Sequence, residues 1–162
     1  MLKLYRICRN VYNPTDPTGA SQTPGRWHIL GQSVLYFCSS LAMCILELKA
    51  NSISFAAMRL EYHYIQLEIN SGNFKIEEVP ESFYSQDWVS GREASQKFGD
   101  DWYSSSRSLI LKVRSAVLPT DSNFILNTTL FDFSKLKIEK PMKIPLDTRI
   151  NYEKLLPRNL FL

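Results

Sequence analysis

Between Trp27 and Leu46 the chain carries no aspartate, glutamate, lysine or arginine. About 20 apolar residues are enough to cross a bilayer, but His28, Gly31, Gln32, Ser33, Ser39 and Ser40 interrupt this stretch, so it is not read as a membrane span. Other scarcities narrow the field further. There is no G-x-G-x-x-G and no G-K-[ST], which removes the common glycine-rich phosphate cradles. His28 and His63 are the only histidines, and Cys8, Cys38 and Cys44 form no C-x-x-C, so no metal site is expected. An odd number of cysteines in apolar company suits small buried hydrophobes in a reducing cytoplasm. No G-x-S-x-G marks a serine hydrolase. Met1 to Arg6 offers no apolar leader core, so no secretory signal is expected. The net charge of +3 comes without a lysine or arginine run, which gives no ground for direct nucleic-acid binding.

What is present describes an ordinary globular domain. The chain has 162 residues, 44% of them hydrophobic and 22% charged, enough for one core. Strands are expected at Leu2–Cys8, at Ser33–Cys38 with Val34, Tyr36 and Cys38 on one side, and at Tyr64–Ile69 with Ile65, Leu67 and Ile69 on one side. Asn70 to Asn73 is turn chemistry, and Phe74–Glu77 is expected to return as a hairpin partner. Ser39 or Ser40 can cap a helix in which Leu41, Cys44, Ile45 and Leu48 form a core stripe. A short helix over Arg92–Phe98 is expected to stop at Gly99, with Asp100 or Asp101 capping a further turn. Further strands are expected at Ser108–Val117, Phe124–Asn127 and Leu136–Glu139. Strands and helices mix without βαβ alternation, so the fold class is α+β with mainly antiparallel sheet and flanking helices. Residues 1–150 form the domain and 151–162 a tail.

The chargeless run has a charge at each end. Arg26 sits in a turn bracketed by Gly25 and Gly31, and Glu47 interrupts an apolar helix pattern. Arginine suits either a bound anion or a set of backbone carbonyls. Tyr36 is a core residue or a cleft wall. A carboxylate beside an apolar face must pair, face a cavity or shift its pKa, and an ion pair with Arg26 or Arg6 is the plain alternative for Glu47. Ser115 on an apolar strand reads equally as a satisfied small residue.

Taken in order, Tyr5-Arg6, Gly25-Arg26-Trp27 with Gly31, Val34-Leu35-Tyr36, Ala42 through Glu47, Gly99-Asp100-Asp101-Trp102, Val113 through Val117, Asn123 through Asn127 and Asp147-Thr148-Arg149 resemble the RES-domain family of bacterial toxins. The segments span nearly the whole chain. It departs from the family's common pattern at Arg114, where proline is usual before the serine, at His28, where asparagine is usual, and at Thr128-Thr129-Leu130, where a proline and a histidine are usual. The resemblance implies a fold similar to ADP-ribosyltransferases, NAD⁺ as substrate with no separate cofactor or metal, and catalysis by Arg26, Tyr36 and Glu47. It implies substrate contacts from Arg6, Trp27, Ser115 and Asn127. It also implies a cognate Xre-like antitoxin that binds the toxin as a hetero-oligomer, blocks the active site and makes any contact with DNA.

The implied chemistry suits these side chains. An arginine fork on phosphate oxygens contributes about 1.5–3 kcal/mol. A tyrosine can stack on the nicotinamide ring. Breaking the glycosidic bond builds positive charge on the ribose carbon, as in glycoside hydrolysis, which a carboxylate stabilises. The acceptor of ADP-ribose stays open: water or phosphate for an NAD⁺-degrading toxin, a protein side chain for a mono-ADP-ribosyltransferase. A non-catalytic interaction module is the reading from a different class.

Overall fold

The computed structural model describes residues 1–70, 72–84 and 88–150; the expected tail at 151–162 lies outside the described residues. In chain order the elements are β1 (Leu2–Arg9), α1 (Thr18–Gln22), β2 (Val34–Cys38), α2 (Leu41–Ala50), α3 (Phe55–Glu61), β3 (Tyr62–Ile69), β4 (Ile76–Glu78), α4 (Glu93–Ser105), β5 (Ile110–Arg114), β6 (Ser122–Asn127) and β7 (Met142–Lys143), with short 3-10 turns between and after them. The strands form one sheet in the order β4-β5-β6-β2-β1-β3-β7. All its pairings are antiparallel except β4 with β5. This is the α+β class that the mixed pattern indicates.

Alternation along β2 places its side chains on two faces. Leu35 and Phe37 join Leu4, Ile65, Leu67, Ile69, Ile110, Phe124 and Leu126 on one. Val34 and Tyr36 join Trp27, Trp102, Leu111, Val113 and Ile125 on the other. The period-2 pattern of β3 holds, with Ile65, Leu67 and Ile69 fully buried. Ser40 caps α2 by accepting the Met43 N–H at 3.1 Å, while Ser39 donates to Asp121.

Several sequence expectations give way. Gly99 does not stop a helix: α4 runs through it to Ser105 and ends at Ser106 with φ 51°. A Cβ on Gly99 would stand 1.8 Å from the Trp27 carbonyl oxygen, so the glycine serves close approach of α4 to that backbone rather than termination. The Phe74–Glu77 segment does not return against β3. Instead β4 lies parallel to β5, pairing Ile76 with Ile110, a contact no local turn signal encodes. The buried stripe of α2 is Met43 and Cys44, with Leu41, Ile45 and Leu48 only partly covered, because the helix packs on the Tyr5, Ile7 and Cys38 side chains. The Ser108–Val117 strand is shorter at both ends. Leu136–Glu139 gives only an isolated bridge, Ile138 to Leu67. Helix α3, capped by Ser54 on Ala57 N–H, had no counterpart in the sequence pattern. No single helix among the described residues is long and apolar enough to cross a membrane.

One irregularity places the site. β1 pairs with β3 along its length, from Leu2–Ile69 to Arg9–Tyr62, yet meets β2 only at Tyr5–Cys38. Where the two strands part, a cleft opens that both of them line.

Candidate active site

The cleft encloses about 650 Å³. Arg6 and Ile7 come to it from β1, Thr23 to Trp27 from the following loop, Tyr36 to Cys38 from β2, Cys44 and Glu47 from α2, and Asn123 from β6. Four arginines line it, Arg6, Arg26, Arg92 and Arg114, against a single acidic residue, Glu47, among the described residues. Such a wall favours an anionic ligand.

Glu47 is held rather than ion-paired. Its Oε1 accepts from Ser115 Oγ at 2.8 Å and from Asn123 Nδ2 at 2.7 Å. Among the described residues its partners include neither Arg26 nor Arg6. Ser115 is itself fixed, because its Oγ accepts the N–H groups of Val117 and Leu118, each at 3.0 Å. The turn between β5 and β6, closed by Ser115 N–H on the Asp121 carbonyl at 3.0 Å, brings Ser115 and Asn123 to one carboxylate. A carboxylate only accepts, so Asn123 must present its amide nitrogen there; its Oδ1 is buried without a partner among the described residues.

Three of the arginines, Arg6, Arg26 and Arg114, are also fixed. Arg26 Nη1 donates to the carbonyls of Gly91 at 2.8 Å and Trp88 at 3.3 Å, and Nη2 to that of Val89 at 2.9 Å. The carbonyl-binding role open to Arg26 in the sequence is thus realised, and it pins the 88–91 loop to the cleft. Three of the five donors are spent this way. Burial, and then the charge of Arg92, pull the Arg26 guanidinium below its ordinary value, with Glu47 opposing. Arg6 donates to the Pro14 carbonyl at 3.0 Å and to that of Tyr36 at 3.2 Å, bridging the gap between β1 and β2, and burial lowers its pKa as well. Arg114 stacks 4.6 Å over Tyr84 and pairs with Glu81.

Tyr36 is half-buried. Its hydroxyl lies 2.8 Å from His28 Nδ1 and accepts the Trp27 N–H at 3.2 Å. Burial raises its pKa well above 10. Cys38 and Cys44 lie beside Glu47 at the base of the cleft; Cys44 Sγ donates to the Tyr5 carbonyl at 3.1 Å, and the bond with Cys44, reinforced by burial, pushes the Cys38 thiol up.

The structure brings Arg6, Arg26, Tyr36 and Glu47 to one cleft. Trp27 touches the wall, but its indole is 2% exposed and packs among Phe83, Tyr84, Trp88 and Phe98. Ser115 is fully buried, bonds Glu47 and is not among the residues lining the cleft. Asn127 does not reach the cleft. It lies at the far end of β6, where its Oδ1 accepts from Thr129 and its Nδ2 points to the Tyr103 carbonyl. Asn123, four residues earlier, occupies the site instead. Sequence reasoning also missed His28 and Arg92 as neighbours of the site. Only the departure from asparagine at position 28 pointed that way.

Comparison with known proteins agrees across nearly the whole chain. The model of the RES domain matches residues 3–147. A protein named "Toxin Res" from Photorhabdus laumondii is 26% identical over 152 residues, covering 91% of this chain and 96% of its own length. A second "Toxin Res", from Yersinia enterocolitica, is 28% identical, covering 92% and 99%. A "Prs ADP-ribosylating toxin" from a Sphingobium species is 27% identical, covering 86% and 89%. Among solved structures, a chain in the M. tuberculosis MbcT-MbcA toxin-antitoxin complex shares the fold with a TM-score of 0.69 at 14% identity, covering 88% of this chain and 83% of its own.

Proposed function

The chain belongs to the RES domain family, and from its cleft we propose that it is a toxin that cleaves the nicotinamide–ribose bond of NAD⁺. The observation that carries this reading is one fixed carboxylate, Glu47, in a cleft lined among the described residues by four arginines, Arg6, Arg26, Arg92 and Arg114. NAD⁺ matches that distribution: a dianionic pyrophosphate, and a glycosidic carbon that turns cationic as its bond breaks.

In this reading Arg26 and Arg6 hold the pyrophosphate. Both are locked by backbone carbonyls, so little reorganisation accompanies binding. Tyr36 packs its ring on the nicotinamide. The carbon–nitrogen bond then breaks with its electron pair going to the ring nitrogen, which neutralises the pyridinium and releases nicotinamide. Glu47 stabilises the oxocarbenium-like carbon left behind. An oxygen nucleophile bonds to that carbon and gives up its proton. Ser115 and Asn123 act by fixing Oε1, which leaves Oε2 as the oxygen without a protein donor among the described residues.

Two acceptors, water and phosphate, degrade NAD⁺ and arrest growth by depleting it. The likeness to the Sphingobium ADP-ribosylating toxin supports a second reading, transfer of ADP-ribose to a protein. The likeness to a chain from a toxin-antitoxin complex supports a partner, an Xre-like antitoxin that covers the cleft. One experiment separates the acceptors: incubate the pure protein with NAD⁺ with and without phosphate, and with labelled NAD⁺ in a lysate. ADP-ribose marks hydrolysis, ADP-ribose phosphate marks phosphorolysis, and a labelled protein band marks transfer. No nicotinamide release in any arm refutes the cleavage reading.

A further inference from the structure

We propose that His28 is a positioning residue for this reaction: it accepts a hydrogen bond from the Tyr36 hydroxyl and so leaves Tyr36 to act through its ring face alone. The inference rests on the NAD⁺-cleaving reading for its consequence but not for its geometry. His28 is 3% exposed. Its Nε2 lies 2.9 Å from the Ala20 carbonyl oxygen and 3.1 Å from that of Thr23. Carbonyl oxygens only accept, so in the neutral ring Nε2 carries the proton and Nδ1 is a bare acceptor. The Tyr36 hydroxyl, 2.8 Å from Nδ1, is therefore the donor. Its oxygen in turn receives the Trp27 N–H.

Both polar capacities of the hydroxyl are thus spent on the loop that carries Arg26. Gly25 closes over the same point: a Cβ there would stand 2.6 Å from His28 Cε1, 2.7 Å from Nδ1 and 2.9 Å from the Tyr36 hydroxyl. With the hydroxyl bonded to His28 and Trp27, the ring is what Tyr36 offers to the cleft. His28 does two things at once. It sets the plane of that ring, and it ties the 20–28 loop, with Arg26, to β2.

A double-substitution cycle tests this against a chemical role for the hydroxyl. Tyr36→Phe and His28→Leu each cut the same tether, so each lowers kcat/KM by about tenfold, mainly through KM, and the double variant is no worse than the poorer single. His28→Gln, whose amide can accept from Tyr36 and donate to a carbonyl, recovers most of the loss. Tyr36→Leu, which removes the ring, loses about a hundredfold more than Tyr36→Phe. A hundredfold fall in kcat for Tyr36→Phe with His28→Leu near wild type overturns the proposal, and so do additive losses. Nitrogen-15 resonances of the wild-type imidazole give a readout independent of turnover and of variant folding. The Nε2–H tautomer with a hydrogen-bonded Nδ1 is expected; the Nδ1–H tautomer or an imidazolium at neutral pH overturns it. A wild type inert toward NAD⁺ would refute the functional reading while the resonances still decide the tether.

Discussion

The hydroxyl of Ser115 donates to Glu47 Oε1 across 2.8 Å while taking the N–H groups of Val117 and Leu118 into its own oxygen. Ser115 itself is fully buried. The backbone turn therefore aims the hydroxyl, and the hydroxyl aims the carboxylate. Two residues far apart in sequence behave as one unit, with α2 contributing the acid and the β5–β6 turn contributing its orientation.

Ser115→Ala is expected to lower kcat by about tenfold with KM nearly unchanged, because Asn123 still holds Oε1 and no substrate contact is lost. It also removes the hydroxyl acceptor of the Val117 and Leu118 N–H groups, a cost of about 0.5–1.5 kcal/mol. Steady-state kinetics and urea denaturation on one preparation check both. A rise in KM without a fall in kcat would show Ser115 touching substrate.

Gly99→Ala is expected to destabilise the protein by at least the 1–3 kcal/mol typical of an overpacked core, since the obstacle at 1.8 Å is the Trp27 backbone and not a movable side-chain tip. Thermal melting of the variant measures it. An unchanged melting temperature would contradict the close approach of α4 to Trp27.

Legibility in the sequence follows the range of the interactions. The Ser40 cap and the alternation of β2 and β3 depend on neighbours within a turn or a strand, and they are read correctly from residue types. Gly99 is misread as a stop because its lack of a side chain serves a partner 72 positions away. β4 is misplaced because parallel pairing with β5 needs a crossover that no turn residue announces. Arg26 and Glu47 stand out because a charge bounding a chargeless run is conspicuous on its own; Tyr36 stands out only through the family resemblance. Asn123 and Asn127 are the same residue type on one strand with even spacing, hence on one face; only the position of the cleft along β6 tells them apart. His28 shows in the sequence only as a departure from the family's asparagine, because its place depends on which carbonyls meet its Nε2.

Arg26→Lys is expected to weaken NAD⁺ binding nearly as much as Arg26→Ala. Lysine keeps the charge but cannot span the carbonyls of Trp88, Val89 and Gly91, so it loses the loop as well as the fixed plane. Calorimetric titration with NAD⁺ decides it. Equal affinity in wild type and the lysine variant would remove the case for a fixed guanidinium.

Alkaline pH should weaken the fold through Tyr36. Burial holds its pKa above the ordinary value near 10. The unfolded chain gives up this proton first, so the contribution is complete below about pH 10 and is lost as the pH rises from there toward the higher folded value. The stability difference between wild type and Tyr36→Phe should therefore shift against wild type above pH 10. Denaturation midpoints of the two proteins at pH 8 and at about pH 10.5 check the sign; a difference independent of pH would contradict a buried hydroxyl.

In the proposed reaction Glu47 is the carboxylate that lowers the barrier to nicotinamide release. The most direct test is nicotinamide released from NAD⁺ by wild type and by Glu47→Gln, with NAD⁺ affinity measured on both. The amide keeps the shape and can still meet the Ser115 hydroxyl, but it lacks the charge. The account predicts a loss of about 10²–10³ in kcat, the scale of removing one preorganised electrostatic group, with an intact fold and retained binding. A variant that releases nicotinamide as fast as wild type would show that Glu47 is structural and would contradict the account.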